Sequence, residues 1–131
     1  MAIPAAVLDL FKRPDTTKIL VTAGKDGQPH AIVCGSIFVI DENTLGVGQV
    51  LMKTAAAYMS ENSKVALEVI DGKSAYEVRG TVGGRIDSGP VLDGLNANLE
   101  KIGLKASAVW TFDIKETYDE SAGPNAGNKM A

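Results

Sequence analysis

The sequence predicts a mainly β fold with short helices, in which six antiparallel strands curl into a barrel, and three observations carry that expectation. Strand-length apolar segments are separated by turn signals at Asp26-Gly27, Asp41-Glu42-Asn43 and Asp71-Gly72. Aromatic residues make up only 5% of the 131 residues, so the core must be built from Val, Ile, Leu and Ala. Helical spacing is confined to three short stretches.

The first stretch follows Pro4, which a first helical turn tolerates; Val7, Leu8 and Phe11 then share one face, and the helix should end before Pro14. Lys18-Ile19-Leu20-Val21-Thr22-Ala23 reads as strand one. Strand two, residues 30–40, is long and apolar, with Gly35 near its middle, where a missing side chain permits a bulge or the approach of a ligand. Strand three, residues 44–50, carries Gly46 and Gly48. Alanines 55 to 57 favour a helix that opens at Lys53-Thr54 and closes near Asn62. Residues 65–70 and 76–86 form strands four and five, the latter bent by Gly83-Gly84. Ser88-Gly89-Pro90 starts the third helix, whose stripe is Leu92, Leu95, Leu99 and Ile102, with Gly103 at its end. In the last strand Ala108, Trp110, Phe112 and Ile114 alternate with Val109, Thr111, Asp113 and Lys115. Residues 1–120 thus read as one domain, and residues 121–131, rich in Gly, Asn and Ala without an apolar period, as a flexible tail.

Composition narrows the function. A net charge of -3 and a pI near 5.1 offer no cationic field for nucleic acid. No apolar run reaches the roughly 18 to 20 residues that cross a bilayer. The single cysteine, Cys34, cannot form an internal disulfide, and the amino-terminal segment has no secretory pattern, so a cytoplasmic protein without a membrane partner is expected. One histidine, His30, and no nucleophile–base–acid trio or spaced metal ligands leave no catalytic side chains and no metal site to name. Cys34 reads as a small buried hydrophobe, His30 as an edge residue, Arg79 as a solvated strand arginine and Trp110 as packing.

The informative segment is Gly46-Val47-Gly48-Gln49-Val50-Leu51-Met52-Lys53-Thr54. Glycines let a ligand approach the backbone, and the helix start that follows supplies free N–H groups and a dipole that favour an anion. Lys53 adds a positive charge and Thr54 a hydroxyl donor. Taken alone, the same residues also read as a solvated lysine and a helix cap.

Met52-Lys53-Thr54 after a glycine-bearing strand, Val78-Arg79-Gly80-Thr81, and Asp87-Ser88-Gly89-Pro90 before a helix together resemble the small FMN-binding proteins of sulfate-reducing bacteria, within the pyridoxamine 5'-phosphate oxidase-like split-barrel family. The resemblance runs from the first helix to the last strand. It implies a six-stranded split β-barrel that binds FMN, with the phosphate at Lys53 and Thr54 and the ring along Val33, Cys34 and Gly35 and along Gly48, Gln49 and Val50, next to Met52. It also implies a homodimer and an FMN-dependent oxidoreductase or electron-transfer protein, served by reduced nicotinamide or another redox partner. Related barrels hold the deazaflavin F420, and a non-catalytic flavin carrier or sensor is the third reading. The arginines and histidine with which pyridoxamine phosphate oxidases grip their vitamin substrate have no counterpart here. Flavin chemistry resides in the cofactor, which accounts for the missing catalytic trio.

Overall fold

The computed structural model describes residues 2–131. The chain runs α1 (Ala5–Lys12), β1 (Thr17–Ala23), β2 (Pro29–Val33), β3 (Ile37–Asp41), β4 (Thr44–Gly48), α2 (Lys53–Glu61), β5 (Lys64–Asp71), β6 (Ser74–Ile86), α3 (Pro90–Leu99), a 3-10 turn (Glu100–Ile102), β7 (Val109–Asp119) and β8 (Asn128–Lys129). All pairings are antiparallel, in the order β2-β1-β5-β6-β7-β4-β3, with β8 added to β7. The sheet is curled but not closed, since β2 and β3 end the path and do not pair.

Eight strands replace the expected six. The long second strand is two: β2 ends at Val33 and β3 begins at Ile37, and the chain crosses between the two edges of the sheet over residues 34–36. Gly35 marks the break, because a residue with no side chain to bury contributes nothing to a continuous strand there. The other addition lies in residues 121–131, expected as a flexible tail, where β8 pairs with β7 and Thr117 exchanges backbone bonds with Met130 and Ala131.

Strict alternation builds the core. In β1 Lys18, Leu20 and Thr22 point inward while Ile19, Val21 and Ala23 point out, and β5 repeats the pattern with Val65, Leu67 and Val69 inside. Val78, Leu45, Val47, Phe112 and Ile114 complete the interior, and α1 closes one end with Val7, Leu8 and Phe11. The two longest strands, β6 and β7, slip register at Arg79/Gly80 and at Val82/Gly84, so the glycine pair does bend the sheet. A second small cluster under α3 gathers Leu92, Leu99, Ala106 and Val109. In the third helix Leu92, Leu95 and Leu99 face inward, but Ile102 lies past the last α-helical turn and is 69% exposed. Gly103 ends that segment at a φ of 75°, as its place predicts.

Candidate functional site

Where the chain crosses from β2 to β3, it leaves a cavity of about 230 Å³ between residues 32–36, residues 48–52 and the end of α3. Its position follows from three hydrogen bonds. Cys34 N donates to Lys18 O at 2.9 Å, holding the crossing to β1. Gly48 N donates to Ser36 O at 3.2 Å and Ser36 Oγ to Gly48 O at 2.9 Å, holding it to β4. The backbone is thereby fixed on both sides of Gly35, at which an added Cβ would meet nothing within 4 Å.

Val33, Cys34, Gly35, Gly48, Val50 and Met52 all line this cavity. Met52 is also the residue before α2, so the cavity meets the helix N-terminus at one position. No side chain caps that terminus, and Ala56 N is the first amide given an intrahelical acceptor, Met52 O at 2.9 Å. Lys53 and Thr54 are exposed in this first turn, and Lys53 has no ion-pair partner among the described residues. The ninth residue, Gln49, is turned the other way. Its Oε1 accepts from Trp110 Nε1 at 2.8 Å, and its backbone exchanges bonds with Ala108 and Ser107, so it braces β7 rather than the cavity.

Sequence reading missed the other wall. Leu51, Leu99, Ile102 and Leu104 complete the lining, and Leu51 is 90% exposed, Val33 73% and Leu104 38%. Four of the exposed large apolar side chains therefore rim one hollow, which isolated surface hydrophobes would not do. The available signal was Ile102-Gly103-Leu104, two apolar residues astride a helix stop where solvent would favour polar ones.

Gly48 lines the cavity, and both Gly46 and Gly48 are also closely packed. A Cβ at Gly46 would come within 2.8 Å of Phe38 Cζ, and one at Gly48 within 2.6 Å of Leu95 Cδ2. Both are small because neighbouring side chains cover them. Cys34 is buried against the cavity, and burial pushes its thiol pKa up, which keeps it protonated and unreactive. His30 packs edge-on to Tyr58 with ring centroids 5.9 Å apart. Arg79 donates to Glu77 at 2.8 Å and stacks on Tyr118 at 4.0 Å, away from the cavity. Trp110 is buried.

A larger hollow of about 460 Å³ lies on the outer face of β1, β5, β6 and β7 and contains none of the nine residues. It mixes Lys64, Arg79 and Lys115 with Glu77 and Glu116 over the half-buried Val21, Ala23 and Ala66. Among the described residues no group of His, Cys, Asp or Glu is placed to hold a metal ion, and no helix is long and apolar enough to cross a membrane.

No family model matches the chain, and no curated protein matches its sequence. Solved structures do match in fold. HupZ of Group A Streptococcus superposes with a TM-score of 0.80 at 18% identity, over 95% of this chain and 99% of that one. An FMN-binding protein from Syntrophomonas wolfei gives 0.76 at 12% identity, over 91% and 84% of the two chains. A Lactobacillus delbrueckii protein assigned as a pyridoxamine 5'-phosphate oxidase gives 0.72 at 23% identity, over 89% and 93%. An F420 reductase and a heme storage protein from Vibrio cholerae share the fold, with TM-scores of 0.68 and 0.66. The eight-stranded open sheet with its three short helices thus has the fold of the pyridoxamine 5'-phosphate oxidase-like split barrels.

Proposed function

We propose that this chain is an FMN-binding redox protein that acts as a homodimer, with the flavin phosphate at the start of α2 and the ring entering the cavity beside residues 34–36. One observation carries the reading: an apolar, backbone-walled cavity joins an uncapped helix N-terminus, bearing an unpaired lysine, at Met52. The residues fit the group. Free N–H groups, Lys53 and the Thr54 hydroxyl suit a phosphate dianion, and the Val33, Val50 and Leu51 walls suit an aromatic ring. At about 230 Å³ the cavity is below the usual range of roughly 300 to 1,000 Å³ for a complete ligand site, so it takes part of the ligand and leaves the rest to be covered from outside.

When bound, the flavin supplies the electron transfer. The chain's own residues bind, orient and exclude water: Lys53 and Thr54 fix one end, the 34–36 crossing presents backbone N–H and C=O groups, and the apolar rim keeps solvent from the ring. The protein works in the cytoplasm, as one domain, with reduced nicotinamide or a protein carrier as electron donor. A deazaflavin is the second reading, supported by the F420 reductase of the same fold. Mass spectrometry of the ligand released on denaturation separates the two, and FMN is the mass expected. Colourless protein that also fails to bind added FMN refutes the proposal. Flavin-dependent oxidation of reduced nicotinamide marks an enzyme; its absence across common acceptors marks a carrier.

A further inference from the structure

Lys18 is the one buried lysine among the described residues, 7% exposed on the inward face of β1, while the others stand in solvent. Its Nζ donates to Arg13 O at 2.7 Å, which uses one of three donors, and it forms no ion pair. Asp15, the nearest carboxylate in sequence, pairs with the Arg13 guanidinium at 2.7 Å, and Asp71 holds the same guanidinium at 3.0 Å. A buried ammonium that forms no ion pair is costly, and burial lowers the Lys18 pKa, with the charge of Asp15 only partly opposing it.

Beside it lies a second cavity, of about 320 Å³, between the C-terminal end of α1 and β3. Its lining combines Lys12, Arg13 and Lys18 with Phe11, Ile37, Phe38 and Val39. A hollow whose lining mixes cationic and apolar side chains suits a molecule with an anionic head and an apolar body. The geometry points to a binding site for a small organic acid, its carboxylate against Lys18 and its apolar body against Phe11, Ile37 and Phe38. This site is separate from the proposed flavin site, although Gly35 lines both cavities.

Benzoate is the probe, titrated at constant ionic strength into the full chain with and without FMN, so that the outcome does not depend on the flavin reading. The Lys18 side-chain resonances and the Phe38 and Gly35 amides report it. A saturable shift at these groups is expected, weakened about tenfold or more in Lys18→Met. Inorganic phosphate, which has no apolar body, should bind at least that much more weakly. Lys12→Met alters an exposed side chain that the fold does not use and should weaken benzoate about threefold. No saturable shift, or equal affinity for benzoate and phosphate, or a Lys12→Met protein that binds like the parent, overturns the proposal even if Lys18→Met does not fold. In that event Lys18 serves only to join Thr16 in satisfying the Arg13 carbonyl at the end of α1.

Discussion

Lys53 supplies the positive charge that faces the proposed ligand's phosphate, and its effect can be stated in advance. Lys53→Ala should weaken FMN binding by about 1.5 to 3 kcal/mol, roughly tenfold to a hundredfold in Kd, the range for a charge-assisted hydrogen bond. Fluorescence titration reads it directly, and unchanged affinity would place the phosphate elsewhere. Gly48 belongs to a different class of residue. Its hypothetical Cβ stands 2.6 Å from Leu95 Cδ2 and 3.2 Å from Ala106 Cβ, so Gly48→Ala forces α3 outward. A loss of about 1 to 3 kcal/mol in chemical denaturation is expected; an unchanged midpoint would mean that Leu95 moves aside freely. The two residues show what one position can and cannot disclose. A lysine opening an alanine-rich helix announces its place, because helix polarity is local. A glycine announces only that space is short, and whether ligand or neighbour needs that space depends, for Gly48, on contacts with residues 47 and 58 positions away, Leu95 and Ala106.

At the scale of elements, β5 and β6 pair in a register that sets Glu68 opposite Glu77 on the outer face. Burial, then the charges of Glu77 and Glu120, raise the Glu68 pKa above its ordinary value. The sign follows from proton counting: between the unfolded and folded pKa values the native chain binds more protons, so stability falls as pH rises through that window and the penalty persists above it. Glu68→Gln should therefore stabilise the protein at about pH 7 and have little effect near pH 3, as read from urea midpoints at both. Equal effects at both pH values would assign the change to packing. The hairpins, the alternating β7 and the start of α3 were legible because period and turn chemistry are written within a few residues. The break between β2 and β3 was not. Ile32, Val33 and Ile37 look like one apolar run, and only the separate partners of the two halves, β1 and β4, reveal two strands. Ile102 was misplaced for the same reason: the helical stripe continues in sequence after the α-helix has ended.

For the molecule as a whole, the outer face of β1, β5 and β6 leaves Ile19, Val21, Ala23, Ala66 and Ile70 half-buried around charges of both signs, a surface suited to a second copy of the chain. Sedimentation should give a dimer, and Val21→Glu should give a monomer with unchanged far-UV circular dichroism; a parent chain that stays monomeric with FMN bound would remove the homodimer from the proposal. The order β2-β1-β5-β6-β7-β4-β3 has one more consequence, and it concerns time. Val33 and Ile37 are four positions apart in the chain but belong to opposite ends of the sheet, so the seam between them cannot exist until every intervening strand is in place, including the pairing of Thr44 with Asp113. Loop-closure entropy makes so remote a pairing late in folding. Three bonds around residues 34–36 then hold the seam shut, and it should be the first place to reopen. Native-state hydrogen exchange should find the Cys34 and Gly48 amides exchanging by local opening, well before the Leu67 amide at the centre of the sheet. Saturating FMN should slow the first two selectively. Uniform protection across all three would mean that the seam is no weaker than the strands it joins, and that the protein does not breathe where the proposed flavin would enter.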